Sequence, residues 1–226
     1  MKYTITGDNL QMVNIEVQPG EIVYSTAGAM SYMTGNMTLE AKAKEGVWGS
    51  IKRSLTGASL FLVKYEAKGG AGVVGLSQKA PGKIMDIDIS KGNWFVQKSG
   101  YLASEENVLL EMAFQKKLSS ALFGGEGLIV QKVSGNGIVF VGGCGDLIVK
   151  DLAPGEIIKV STSNVVAWQE SVAYDISSIG GVKNALFSGE GLFVSTLTGP
   201  GRVVLQSMTL GDLAMALYPY MPSSSS

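Results

Sequence analysis

The 226-residue chain contains no histidine and a single cysteine, Cys144. Histidine is the commonest general base and the commonest metal ligand, so its absence disfavours the hydrolases and metalloenzymes that depend on it. One cysteine cannot form a disulfide within the chain, which fits a reducing compartment. The nucleophile-elbow motif G-x-S-x-G and the P-loop motif G-x-x-x-x-G-K-[ST] are also missing. We therefore predict a non-enzymatic protein without cofactor or metal, while a site made only of carboxylates stays open.

Long apolar runs and an excess of charge are missing as well. The longest apolar run falls far short of the ~20 residues that a membrane-spanning helix needs. The opening MKYTITGDNL has neither the basic and apolar regions of a signal peptide nor the pattern of a transit peptide. Net charge is −1, from 18 basic and 19 acidic residues, so nothing global attracts a polyanion. We predict a soluble, cytoplasmic protein with no membrane span, and nucleic acid is disfavoured as a partner.

Glycine is abundant, and it marks an internal repeat. The chain has 30 glycines, roughly twice the usual share of about 7%. The segment 121–130 reads ALFGGEGLIV and the segment 185–194 reads ALFSGEGLFV, identical at eight of ten positions with an offset of 64. A repeat of this length indicates that one structural unit occurs more than once in the fold.

Short alternating segments between glycine turns predict an all-β fold. Residues 37–44 alternate apolar and polar side chains, as a strand with one wet face does. Turn glycines recur at Gly20, Gly92 and Gly155, and Cys144 is expected in a further tight turn. The segment 108–118 is expected to be mainly extended, although its pattern also fits a short helix. We therefore predict a single domain spanning 1–222. It is built of three sandwich-like units, over about 1–88, 89–151 and 152–217.

The C-terminal segment differs from the rest. Residues 209–217 predict a short helix with Thr209 as N-cap and Asp212 in its first turn. A single helical turn is also possible near residues 51–55. Residues 223–226 are four serines and are predicted to be a disordered tail.

Five stretches together carry a family resemblance that covers essentially the whole chain. They are the opening 3–21 (YTITGDNLQMVNIEVQPGE), AGAM at 27–30, the two LF[GS]GEGL[IF]V copies, and GPGRVVLQS at 199–207. With these, the chain resembles the TRAP-like superfamily, and within it the mitochondrial biogenesis family named for altered inheritance of mitochondria.

The resemblance implies a subunit of three β-sandwich units similar to the tryptophan RNA-binding attenuation protein. It further implies a homotrimer, which gives a ring of nine units. Mitochondrial relatives maintain inner-membrane architecture, but no biochemical activity is implied for a short chain of bacterial type. The basic rim and tryptophan pocket of the attenuation protein do not map onto residues of this sequence, so RNA binding would rest on fold analogy alone.

The repeated Gly-Glu-Gly turns are the best candidates for a binding or interface site. They consist of Gly125, Glu126 and Gly127 in one copy and Gly189, Glu190 and Gly191 in the other. In a ring the two glutamates would line a pore or an interface and hold a cation. Alternatively, they are turn residues whose carboxylates accept backbone N–H bonds, a reading supported by Ser59 at the matching place in the first unit.

Other side chains suggest chemistry less strongly. Asp86 and Asp88 share a strand face about 7 Å apart, which fits a carboxylate pair but is better explained as a solvated face. Trp48, Trp94 and Trp168 are expected to be core or interface anchors. A basic band is the remaining candidate, made of Lys52, Arg53, Lys116, Lys117 and Lys183.

From the sequence we therefore expect a non-catalytic scaffold or interaction protein, acting as a ring-shaped homotrimer with an unknown protein partner. The alternative is a ring module that binds RNA or a small ligand.

Overall fold

A computed structural model of the chain describes residues 1–43, 61–116, 127–178 and 193–221. The predicted tail 223–226 and the predicted turn near 51–55 lie outside these ranges. Strands in the first half are β1 (Lys2–Thr6), β2 (Met12–Val17), β3 (Ile22–Thr26), β4 (Met30–Met33), β5 (Met37–Ala43), β6 (Phe61–Ala67), β7 (Gly72–Ser77), β8 (Gly82–Asp88) and β9 (Trp94–Gln97). Strands in the second half are β10 (Tyr101–Glu105), β11 (Val108–Lys116), β12 (Leu128–Gly135), β13 (Ile138–Leu152), β14 (Ile157–Ser161), β15 (Val165–Gln169), β16 (Ala173–Ser178), β17 (Phe193–Thr198) and β18 (Gly201–Met208).

One short helix follows the last strand, and the predicted all-β class is confirmed. The helix, α1 (Leu210–Leu217), begins where the sequence predicts it. The Thr209 hydroxyl oxygen accepts a hydrogen bond from the Asp212 backbone N–H at 3.0 Å, and the Asp212 carboxylate accepts the Thr209 N–H at 2.9 Å. This reciprocal pair is a capping box, which satisfies backbone donors that a helix start leaves open.

The strands pair antiparallel in three sheets. The smallest has the order β14-β17-β16, and a four-stranded sheet has the order β1-β2-β7-β4. The largest has the order β11-β12-β9-β15-β18-β13-β10-β3-β6-β5, with β8 also paired to β13. Buried side chains between the sheets form three hydrophobic clusters. The first is built around β2 and β7, the second around β9 and β13, and the third around β15 and β18.

The buried aromatic residues fit the predicted core. Trp94 and Trp168 are both buried, as expected, whereas Trp48 lies outside the described residues. The Trp168 ring stacks on Tyr174 with centroids 4.2 Å apart. Such pairs stabilise a core beyond their burial alone.

Two features differ from the sequence expectations. The tight turn predicted at Cys144 is wrong, because residues 138–152 form one continuous strand, β13. The glycines around Cys144 instead accommodate irregular pairing with Gly82. The segment 108–116 is a strand, β11, so its helical reading is also wrong.

Candidate binding cavity and free sheet edges

Only one of the predicted Gly-Glu-Gly residues belongs to the described part of the chain. The other five lie outside it: Gly125, Glu126, Gly189, Glu190 and Gly191. Gly127 precedes β12 with a φ of 78°, a conformation that glycine adopts freely. Gly127 also lines a cavity, which nothing in the sequence pattern had indicated. Whether the two glutamates form a site stays a prediction.

The cavity has a volume of about 540 Å³, within the range of ~300–1,000 Å³ that small-molecule sites occupy. Its wall is assembled from segments that are remote in sequence. These are the β3–β4, β7–β8, β9–β10 and β14–β15 connections, the start of β12, the middle of β13, the end of β18, and α1 with its cap. Because these segments are far apart in the sequence, only the tertiary structure reveals the cavity.

Small residues leave the space open. Among the lining residues, a Cβ atom on Gly142 would lie 2.4 Å from Nε2 of Gln78, and one on Gly143 would lie 2.7 Å from Cδ2 of Leu147. Both distances are far below van der Waals contact, so a larger residue at either position would displace its neighbour. Gly142 therefore gives the Gln78 amide its place in the cavity wall.

Two of the three glutamines in the wall hydrogen-bond to the backbone of neighbouring segments. Gln97 donates from Nε2 to the Thr162 carbonyl oxygen at 2.9 Å. Gln206 accepts the Cys144 backbone N–H at 2.9 Å and donates to the Ser163 carbonyl oxygen at 2.8 Å. Their amides therefore tie the segments of the wall together.

The third glutamine, Gln78, differs. Its Nε2 is buried and has no hydrogen-bond partner. A buried amide donor without a partner costs about 1–3 kcal/mol. Because the Gln78 side chain lines the cavity, a rotation of its amide would turn this donor toward a bound acceptor.

The charged residues that line the cavity are all basic among those that the structure describes. Lys79 and Lys98 both line the cavity, and no Asp or Glu does so among the described residues. The Lys79 side chain is exposed and lies against Gly28, where its Nζ would be 3.3 Å from an added Cβ. The cavity mouth therefore carries positive charge beside an unpaired amide donor.

Cys144 is the thiol in this wall. The residue is buried, and burial is the main cause that raises the pKa of its thiol, with a smaller contribution from the charge of Asp212. A thiol with a raised pKa is a poor nucleophile near neutral pH because the thiolate is the reactive form. A nucleophilic role for Cys144 therefore gains no support from its surroundings.

Two strands at sheet edges form a second candidate surface. β4 ends the four-stranded sheet and β14 ends the three-stranded one, at least among the strands that the structure describes. Met30 and Tyr32 on β4 are 39% and 44% exposed, and Ile157 on β14 is 59% exposed. Edge strands carry unpaired N–H and C=O groups that can pair with another chain.

The remaining predicted chemistry finds little support in the geometry. Asp88 accepts the backbone N–H of Ser90 at 3.1 Å and pairs with Lys91 at 3.2 Å. The hydrogen bonds from Ser90 are the largest cause, and the contact with Lys91 the next, that hold the pKa of Asp88 below its usual range. Asp86 is exposed on the same strand. Both residues thus fit a solvated strand face, and Asp88 also binds the turn that follows the strand.

Metal, phosphate and basic-band sites gain no support either. No three His, Cys, Asp or Glu side chains are grouped to hold a metal ion within the described ranges. Residues 70–75 have the spacing G-x-G-x-x-G, but they form a turn and the start of β7. Phosphate loops of this type need a helix to follow. Of the basic band, only Lys116 is described, as an exposed residue at the end of β11.

Comparison with known proteins agrees with the fold. The family model described as mitochondrial biogenesis AIM24 matches residues 3–208. The chain belongs to the AIM24 family. An uncharacterised protein of Streptococcus pyogenes serotype M6 is 29% identical over 233 residues, which cover 100% of this chain and 93% of that protein.

A solved structure is similar to this AIM24 chain along almost its whole length. The X-ray crystal structure of a Streptococcus pyogenes protein matches with a TM-score of 0.80 and 28% identity. The match covers 97% of this chain and 99% of the other. Among the helices described in this AIM24 chain, none is long and apolar enough to cross a membrane. These relatives are uncharacterised proteins.

Proposed function

We propose that the chain is a non-catalytic scaffold that acts as a ring-shaped homotrimer, with copies joined head to tail through β4 and β14. The supporting observation is the order of strand pairing. One type of strand pairing joins consecutive units twice inside the chain. The two strands that could form the same pairing a third time, β4 and β14, lie at sheet edges without such a partner in the described chain.

Apart from β1, and with β13 divided into two parts, the described strands form three groups of six. The groups are β2–β7, then β8–β12 with residues 138–145 of β13, then residues 147–152 of β13 with β14–β18. In each group the sixth strand pairs with the first and the third, and the fifth pairs with the second and the fourth. The third strand has a bulge at the same place in every group. This agreement supports three equivalent units.

Consecutive groups are joined by one kind of pairing. The third strand of each later group pairs with the second strand of the group before it, as β10 with β3 and β15 with β9. The third strand of the first group is β4, and the second strand of the last group is β14. Neither has such a partner within the described chain. A second copy placed head to tail would supply it.

Side-chain burial supports the same interface. Tyr101 and Ala103 on β10 occupy the places that Met30 and Tyr32 occupy on β4. Tyr101 and Ala103 are 2% and 0% exposed, whereas Met30 and Tyr32 are 39% and 44% exposed. Positions that an internal junction buries are thus left open on the free edge, and covering apolar surface of this kind stabilises association.

The internal junctions also predict the register. At the β15–β9 junction, Trp168 lies opposite Phe95, and the β10–β3 junction has the matching register. Transferred to the free edges, this register would bring Met33 opposite Lys159 of the partner subunit. A head-to-tail interface is heterologous, so it closes into a ring only if the rotation per copy divides a full turn. The family resemblance implies three copies.

Light scattering is the first test. We expect a solution mass three times the chain mass of 23.7 kDa. A monomer would refute the ring. A dimer or an open series of masses would refute the closed trimer.

Cysteine cross-linking tests the interface itself. In a Cys144→Ser background, the double variant Met33→Cys/Lys159→Cys should form an intermolecular disulfide, because directly opposite residues in a sheet are close enough for one. Oxidised samples should give a ladder on a denaturing gel that stops at three chains. The two single variants serve as controls and should give at most dimers. A trimer that shows no cross-linking would mean that a different surface joins the copies.

A further inference from the structure

We propose that the cavity between α1 and β13 is a binding site for a small amphipathic carboxylate, with its head group at Lys79 and its apolar body inside. The site is built from residues of one protomer, so this proposal is independent of the ring.

The head group is assigned from the polar groups at the cavity mouth. Lys79 supplies an ammonium group that forms no ion pair with another described residue. Gln78 supplies the buried Nε2 that has no acceptor. A carboxylate is acceptor-only and has two oxygens, so it can satisfy a cation and an amide donor together. Charge-assisted hydrogen bonds of this type are the stronger ones.

The apolar body is assigned from the inner wall. Leu128, Ile129 and Tyr101 line the cavity from the sheet side, and Leu210 and Ala214 line it from α1. Leu128, Ile129 and Tyr101 are buried, so they do not move aside easily. An apolar chain here would gain from the area that it removes from water.

An anion held at the start of α1 and a cation in the cavity both fit the structure less well than a carboxylate at Lys79. The first turn of α1 is another common anion site, but the Asp212 carboxylate already accepts the Thr209 N–H and hydroxyl there, at 2.9 and 2.7 Å. A cation would find no carboxylate among the described lining residues. A singly charged head on an apolar body is the ligand that these contacts fit best.

Cys144 provides a direct readout because it is the single cysteine of the chain and lines the same cavity. An occupied cavity should shield the thiol from a small alkylating reagent. The probes are octanoate and decanoate. Octanol has the same body without the charge, and octylamine has the opposite charge. At about pH 9, where part of the thiol is ionised and reacts, we expect both carboxylates to slow alkylation of the folded full-length protein in a saturable manner, and octanol and octylamine to have much weaker effects.

Two variants locate the head and the body. Lys79→Gln should weaken carboxylate binding at least several-fold and leave octanol unaffected. Ala214→Trp should fill the mouth from the exposed side of α1 and abolish protection. Lys150→Gln removes an exposed lysine outside the lining and should bind as the wild type does. Thermal unfolding of each variant without ligand verifies that it is folded.

The outcomes separate clearly. Saturable protection by carboxylates that Lys79→Gln weakens and Lys150→Gln does not would support the site. Absence of protection by either carboxylate would overturn it. Equal protection by octanol, or equal loss in Lys79→Gln and Lys150→Gln, would overturn the assignment of the head group.

Discussion

Replacement of Gln131 by methionine should stabilise the protein. Gln131 lies on β12 opposite Val96 and Met112 and is 0% exposed. Neither Nε2 nor Oε1 of its amide has a hydrogen-bond partner. Each buried polar group left unsatisfied costs about 1–3 kcal/mol, and methionine has nearly the same shape without either group. We expect the free energy of unfolding to rise by about 2 kcal/mol.

The assay is urea unfolding of both proteins at one protomer concentration, with thermal unfolding beside it. For a chain of this length, about 2 kcal/mol corresponds to a midpoint higher by roughly 4–8 °C. Gln97→Met is the matched control. Gln97 is also buried, but its amide donates to the Thr162 carbonyl oxygen, so its loss should destabilise. If Gln131→Met destabilised the protein as much as Gln97→Met, the Gln131 amide would have a partner, and the reasoning would be refuted.

Two further predictions concern packing and pH. Gly82→Ala should destabilise the protein by about 3 kcal/mol in urea unfolding, because the new Cβ would lie 1.8 Å from the Gly143 carbonyl oxygen and the backbone must shift. The control, Gly35→Ala, has open space around the new Cβ and should be nearly neutral. Equal effects of the two variants would contradict this account. Burial raises the pKa of Tyr174 to about 12, so its contribution to stability should be complete below the unfolded value of about 10 and be lost as the pH rises from about 10 to 12. Tyr174→Phe should show a smaller loss of stability over that range, and an unchanged loss would argue against Tyr174 as its source.

Strands with one wet face were predictable. Residues 37–43 alternate polar and apolar side chains, and the structure has a strand there. The capping box of Thr209 and Asp212 was predictable for a similar reason, because both partners lie within one helical turn. In such elements the physical cause is local, so the pattern of a few residues is enough.

Strands buried on both faces were missed. No alternation marks β10 or β15, since four of their five residues are buried in each case. Alternation identifies a strand only when one face meets water. Cys144 was misplaced for another reason, because the glycines beside it suggest a turn but serve an irregular pairing inside β13. The missed strands β10 and β15 each form one of the two junctions inside the chain.

By itself, the sequence determined the all-β class, the family and the start of the helix. These follow from composition, short-range periodicity and motifs, all of which are read along the chain. Only the tertiary structure decided the pairing that joins β10 to β3 and β15 to β9, and with it the two free edges. It also decided the cavity, which Gln78, Lys79 and the cap of α1 line together. Contacts between segments so distant along the chain depend on how the sheets pack, which no local pattern records.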